Sequence, residues 1–196
     1  MIFAGNTDDV TLSLVVRNFE GDSSEKTYII KPGGNQITIE NEGLGYINFF
    51  TENYQSQSPV TVHIVGGRVN GLFDKHIHNS SDWMRILNNT VYHFVDIKGD
   101  YINLAFNVSE LKKSCNDGAA LIDGYDKIVY EEYDIMGLVK YNKVPKNHMF
   151  ARNVPSGLFA DGMGAAFSYG SMPDLADPAK ILKKGIAVTL SNSKLH

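Results

Sequence analysis

One cysteine, Cys115, stands in a chain of 196 residues. A single thiol excludes an internal disulfide framework and any zinc site built from several cysteines. Long apolar runs are missing too. Nothing approaches the roughly 18 consecutive apolar residues of a membrane-spanning helix. There is no basic excess: the formal net charge is −4, which argues against nucleic acid or an anionic membrane as partner. The opening Met1-Ile2-Phe3-Ala4 runs straight into Gly5-Asn6-Thr7-Asp8-Asp9. It has neither a basic nor an apolar leader segment, so no signal peptide is expected. What is present is ordinary for a chain that buries a core: 43% hydrophobic, 20% charged and 11% aromatic residues. The mild excess is glycine, 18 residues, which predicts many tight turns and short strands.

The first 65 residues read as strands. Val10, Leu12, Leu14 and Val16 alternate with Thr11, Ser13 and Val15, the period of a half-buried strand. Thr27–Lys31 follows, then Pro32-Gly33-Gly34-Asn35 as a turn, then Gln36–Glu40 with Ile37 and Ile39 on one face. Gly43–Phe50 is more apolar and reads as a central, buried strand. Val60, Val62 and Ile64 predict another strand, closed by Gly66-Gly67. Short strands separated by turns predict a small antiparallel β-sandwich.

Beyond residue 78 helices enter. Ser80-Ser81-Asp82 offers caps for a helix over 83–88. Strands are predicted over 92–98 and 101–106, joined by the hairpin pair Gly99-Asp100. Ser109 caps a turn through Ser114. Asp117 caps the longest helix, with Leu121, Ile122, Tyr125, Ile128, Val129, Glu132 and Met136 on one stripe and Gly137 at its end. Strands follow over 148–154 and 165–172. Asp177-Pro178 opens a last helix at Ala179, cut short by Gly185. The fold class is therefore α+β.

Candidate chemistry is sparse. His76 and His78, two apart on an extended segment, share one face. They form a weak metal pair, with Asp74 or Asp82 as third ligand. His63, on the polar face of its strand, and His148 have no acid beside them. Glu131, Glu132 and Asp134 read as a solvated face, except that Glu132 falls on the apolar stripe and is either a boundary residue or a paired, buried carboxylate. Asp123 and Lys127 suit an i, i+4 ion pair. Cys115 precedes a helix N-terminus, which lowers a thiol pKa, but nothing in the sequence assigns it a histidine base. Gly66-Gly67-Arg68-Val69-Asn70-Gly71 lacks the lysine and following helix of a phosphate loop. It reads as a turn.

Three stretches in order carry a family resemblance: Asn41-Glu42-Gly43-Leu44-Gly45-Tyr46-Ile47-Asn48-Phe49-Phe50; Ile64-Val65-Gly66-Gly67-Arg68-Val69-Asn70-Gly71-Leu72-Phe73-Asp74 with Asp82-Trp83; and Met136-Gly137-Leu138-Val139-Lys140-Tyr141-Asn142-Lys143-Val144-Pro145-Lys146-Asn147. Over roughly residues 3–185 the chain resembles the enhancin-like zinc metallopeptidases, which include viral enhancins and bacterial mucin-degrading proteases. The resemblance implies a secreted or surface zinc endopeptidase acting on glycoproteins, with a zincin-like catalytic half. In that half an H-E-x-x-H helix supplies two zinc ligands and the general base. The expected layout is a β-sandwich over 1–66, the β-rich start of a zincin-like subdomain with one long amphipathic helix over 67–185, and a tail over 186–196 outside the resemblance.

The zinc motif is missing. Of the six histidines, none precedes a glutamate. The resemblance places the zinc helix shortly after the Asp177-Pro178 segment, where this chain reads Ala187-Val188-Thr189-Leu190-Ser191-Asn192-Ser193-Lys194-Leu195-His196. No catalytic residue is therefore carried over. The expectation is a fragment open at both ends, truncated or shifted in frame after Gly185, with no zinc of its own and no cleavage. One binding feature is carried over. In zincins the strand before the zinc helix is a sheet edge that pairs with extended substrate, and by position this is Ala165-Ala166-Phe167-Ser168-Tyr169. The implied partner is a glycoprotein or glycopeptide. Apolar surface left uncovered by absent helices predicts self-association. The rival reading is a stand-alone carbohydrate-binding β-sandwich. Tyr46, Phe49, Phe50 and Tyr54 would stack on sugars, although their continuous apolar run suggests a buried strand.

Overall fold

In the computed structural model, residues 1–7, 10–20, 24–52 and 55–183 are described. The chain divides into two compact units, Met1–Val69 and Asn70–His196.

The first unit is all β. Its strands are β1 (Ile2–Ala4), β2 (Thr11–Arg17), β3 (Glu25–Ile29), β4 (Gly33–Asn35), β5 (Leu44–Phe50) and β6 (Val62–Ile64). They form two three-stranded antiparallel sheets, ordered β4-β1-β6 and β3-β2-β5. Ile2 and Ala4 from one sheet and Leu12 from the other share a small core with Ile30. Leu14, Ile37, Val60 and Val62 pack around it.

Three expectations for this unit are corrected. Gly33–Asn35, read as turn, is a strand paired with β1. The Asn35 side chain nevertheless closes a tight loop there, accepting from Lys31 N at 2.9 Å and donating to Lys31 O at 2.7 Å. Residues 36–40 form no strand, and only Ile37 of the two isoleucines packs inward. β5 is not central. It pairs with β2 alone, and Ile47, Phe49 and Phe50 are exposed. β2 takes the middle, with Leu12, Val15 and Val16 buried. An apolar run shows that a strand can be buried; how many partners flank it is decided by topology.

The second unit is mixed. Its elements are β7 (Leu72–Asp74), α1 (Ser80–Asn89), β8 (Phe94–Lys98), β9 (Ile102–Asn107), α2 (Val108–Ser114), α3 (Gly118–Ile135), β10 (Met149–Val154), β11 (Leu158–Asp161) and β12 (Gly164–Ser168). A 3₁₀ turn (Tyr169–Ser171) and two short helices, α4 (Met172–Leu175) and α5 (Pro178–Ile181), complete it. The six strands form one sheet, ordered β11-β12-β10-β9-β8-β7. β9, β10 and β12 run parallel, and β11 returns antiparallel along β12.

The helices start where polar side chains bond their first free N–H groups. Asn79, rather than Ser80 or Ser81, caps α1 in a reciprocal box with Asp82. Asn107, rather than Ser109, caps α2. Asp117 caps α3 as expected, accepting from Ala119 and Ala120. α3 ends where Gly137 takes φ +76°. This left-handed residue lets Leu138 N–H reach Tyr133 O at 2.9 Å. The buried face of α3 (Leu121, Ile122, Tyr125, Ile128, Val129) joins Trp83, Phe106 and Phe167 in the main core. The strand expected over 165–172 stops at Ser168. β11 has no counterpart in the sequence reading: its apolar Leu158, Phe159 and Ala160 are all exposed, so no buried face marks it. The helix break expected at Gly185 lies outside the described residues.

Candidate functional site

Two constellations in the second unit concentrate polar chemistry. The first gathers the loop after β7, the β8–β9 hairpin and α3. Asp126 lies mid-helix on the buried side of α3. Its carboxylate accepts from Asp100 N at 2.8 Å, Tyr101 N at 2.8 Å and Lys75 Nζ at 2.9 Å. Gly99 makes this approach possible, since a Cβ there would lie 2.5 Å from Asp126 Oδ1. Lys75 Nζ also holds Asp123 at 2.7 Å and Asp100 at 3.0 Å. Partial burial opposes its charge, but hydrogen bonds to Asp123, Asp126 and Asp100 outweigh that and hold the ammonium well above the usual lysine range. The same bond from Lys75 holds the Asp100 carboxyl below its usual range. Lys98 does so for Asp74, 2.8 Å away.

The two candidate metal histidines flank this cluster, on a turn rather than the expected extended segment. His76 Nε2 lies 2.8 Å from Asp100 Oδ1. His78 Nδ1 accepts from Asp74 N at 3.1 Å, and its ring lies against Phe73. The imidazoles are thus committed to different partners. Asp74 is held by Lys98, and Asp82 by Asn79 and Arg85. Among the described residues, no group of three His, Cys, Asp or Glu side chains is arranged to hold a metal ion. The donors among the described residues do not fit zinc.

The second constellation lies at the β11 edge of the sheet. Arg152, fully buried on β10, reaches across the row it shares with Ala166 and Phe159. The small Ala166 leaves the guanidinium room to pass over it. Arg152 then pairs with Asp161 through Nη2–Oδ2 at 2.6 Å and Nη1–Oδ1 at 3.1 Å. It also lies 5.7 Å from the Phe159 ring centroid. The Arg152 bond holds the Asp161 carboxyl below the usual range. Asp161 also accepts from Met163 N, closing the β11–β12 turn. A buried cation therefore anchors the outermost strand to the sheet interior.

This topology overturns the premise behind the substrate segment read from sequence. Ala165–Ser168 is not an edge: β12 is bonded to β10 on one side and β11 on the other. Ala166 and Phe167 are buried, and Tyr169 lies beyond the strand in the 3₁₀ turn. On this side of the sheet the edge strand is Leu158–Asp161; the opposite edge is β7.

Other candidates settle simply. Burial pushes the Cys115 thiol up to about 12, opposite to the expected lowering. Its Sγ lies 3.3 Å from Asp117 O. Asp123 turns to Lys75 rather than Lys127, and Lys127 approaches Glu131 at 3.9 Å. Glu132 is half-buried, and its Oε1 has no hydrogen-bond partner among the described residues. Burial raises its carboxyl pKa. His148 Nδ1 meets Asn103 Oδ1 at 3.0 Å. Arg152 was missed in sequence because it is a lone charge in an apolar strand, and Asp126 because the neighbouring Asp123 and Lys127 suit a solvated ion pair. The one available signal was Asp126's place three or four residues from Ile122 and Val129 on the stripe.

No curated protein sequence matches the chain. Solved structures do. A metallopeptidase in complex with Tn antigen aligns with a TM-score of 0.81 at 23% identity, covering 92% of this chain and 36% of that one. A Bacteroides thetaiotaomicron metallopeptidase aligns with a TM-score of 0.79 at 22% identity, covering 97% and 34%. The M60 catalytic domain of Clostridium perfringens ZmpC, in complex with the sialyl T antigen, aligns with a TM-score of 0.70 at 13% identity, covering 89% and 42%. At these identities the likeness is one of fold, and the chain spans well under half of each solved chain. The sequence profile of peptidase M60, enhancin and enhancin-like, matches residues 71–188. That is more than half of the chain, and it takes in both constellations: this protein belongs to the enhancin-like M60 peptidase family.

Proposed function

We propose that these residues form the sheet scaffold of a zinc metallopeptidase acting on glycoproteins such as mucins, and that they hold no catalytic zinc themselves. The observation that carries the reading is the open, antiparallel edge β11, locked by Arg152 and Asp161 in a chain of the M60 family. A fixed edge offers a row of backbone N–H and C=O groups on which an extended glycopeptide adds as a further strand. In this reading β11, not Ala165–Tyr169, lays out the substrate. Absence of zinc is supported by the donor set, in which His76 and His78 are separately engaged, and by a sequence with no His-Glu pair. The all-β unit is read as a β-sandwich and the mixed unit as zincin-like.

Metal analysis and digestion of a Tn-bearing glycopeptide test the reading together with NMR titration of the same peptide. We expect no stoichiometric zinc, no cleavage, and amide shifts concentrated in 158–161. One zinc per chain with EDTA-sensitive cleavage would overturn the first part. A titration that leaves 158–161 unmoved would overturn the second.

The carbohydrate-binding alternative draws on the exposure of Phe49 and Phe50, which the sequence reading had placed inside. The two are consecutive on β5 and so face opposite sides of the sheet, which gives no shared stacking platform. Tyr54 lies outside the described residues. A glycan array discriminates the two readings.

A further inference from the structure

We infer that Asn70 is a spontaneous deamidation site, held shut by the fold and released when the α1–β8 loop lifts from the start of β7. The modification needs no enzyme and no cofactor, and its co-reactant is water.

Two adjacent residues set the chemistry. Asn70-Gly71 is the one Asn-Gly pair in the chain. Asparagine is among the chemically labile residues, and glycine, lacking a Cβ, lets its backbone nitrogen approach the preceding side chain closely. In the open chain the Gly71 nitrogen attacks Asn70 Cγ. The new N–Cγ bond closes a cyclic imide, and the Cγ–Nδ2 bond breaks. Nδ2 leaves as ammonia, taking the proton of the Gly71 N–H. Water then adds to either imide carbonyl and reopens the ring, as aspartate or as isoaspartate.

The fold opposes the first step. Asn70 Nδ2 donates to Phe94 O at 2.7 Å. Its Oδ1 accepts from Val91 N at 3.0 Å and Tyr92 N at 3.0 Å. Attack makes the planar Cγ tetrahedral and expels Nδ2, so it must break the Phe94 bond and tilt Oδ1 off both N–H groups. Gly71 is pinned as well. A Cβ there would lie 2.5 Å from Thr90 Cγ2 and 3.1 Å from Ile86 Cγ2, so its backbone lies close against α1 and the same loop. These contacts also explain why a labile pair stands here. A larger residue at 71 would collide with Thr90, and a carboxamide at 70 supplies both the donor and the acceptor that the loop needs.

The gate lies in a part of the fold that opens locally. β7 is three residues long and sits at the sheet edge, and Val91 and His93 in the loop are exposed. Short edges with exposed backbone bonds open at low cost while the core stays paired. The product does not re-close. Aspartate still accepts from Val91 and Tyr92, but an ionised carboxylate has no proton for Phe94 O and sets oxygen against oxygen there. Isoaspartate also lengthens the main chain, which displaces Gly71 against Thr90.

Ageing of the full chain in mildly alkaline buffer tests this, with deamidation read by mass spectrometry of the peptide that contains Asn70. The folded chain should deamidate at Asn70 about 10-fold more slowly than the urea-unfolded chain, or slower still. Urea below the unfolding transition should already speed the reaction while circular dichroism stays native. These two readings use the unaltered chain, so they stand whether or not a variant folds. Asn70→Asp, the aspartate product made directly, should hasten hydrogen exchange of the Val91 and Tyr92 amides and leave that of β10 and β12 unchanged. Equal deamidation rates in the folded and unfolded chain overturn the inference. So does a rate that rises only with global unfolding, which would place the gate in the whole core. Unaltered protection of Val91 and Tyr92 in a folded Asn70→Asp chain also overturns it.

Discussion

Asp126 holds together three segments far apart in sequence. Its two oxygens take two backbone N–H groups of the β8–β9 hairpin and the ammonium of Lys75. Replacing it leaves two partly buried backbone N–H groups without an acceptor, which is costlier than losing a bond between exposed groups. Asp126→Ala should therefore lower stability by about 2–3 kcal/mol, as expected for hydrogen bonds to a charged group, measured by urea unfolding. Glu132 is the opposite case, a carboxylate whose ionisation the fold opposes. Its folded pKa is raised by burial, so the penalty is absent at low pH and grows as pH rises through that folded value. Glu132→Gln should raise the melting temperature at pH 7.5, and the gain should vanish at pH 3.5. An equal effect at both pH values would rule out ionisation as its cause.

At the scale of the element, the strand proposed to receive substrate is the least buried. β11 has every residue exposed, and little apolar packing holds it. Its anchor is the Arg152–Asp161 pair, with the positive end fully buried. Removing the carboxylate leaves the buried guanidinium without its counter-charge. Asp161→Asn should reduce hydrogen-exchange protection of the β11–β12 amides far more than that of β8 and β9. Uniform loss across the sheet would show that the pair serves the whole core instead. α3 is held differently, by a cap at Asp117, a Gly137 stop and an apolar face. These signals are local, which is why its extent was legible in advance.

Across the whole molecule, the depressed carboxyls of Asp74, Asp100 and Asp161 act in concert. Each folded pKa lies below its unfolded value, near 3.9 for an aspartate. Their contribution is therefore fully present above about pH 4–5 and is lost as pH falls through the folded values. Melting temperature should drop steeply below about pH 4, and less steeply in an Asp74→Asn/Asp100→Asn double variant. The α+β class, the strand-rich beginning, the β8–β9 hairpin and α3 are legible from residue order, because alternation, turn pairs and caps act between near neighbours. Residue order also determines that no His-Glu zinc pair is present. Which strands lie at the edges follows from how the chain pairs in three dimensions. Gly43–Phe50 and Ala165–Ser168 read alike as apolar strands, yet one lies at the rim and the other between two partners. The same holds for Asp126 and Arg152, whose partners are 25 and 9 residues away or more. Hydrogen-bond partners and sheet neighbours are set by chain topology, a long-range property that no window of sequence contains.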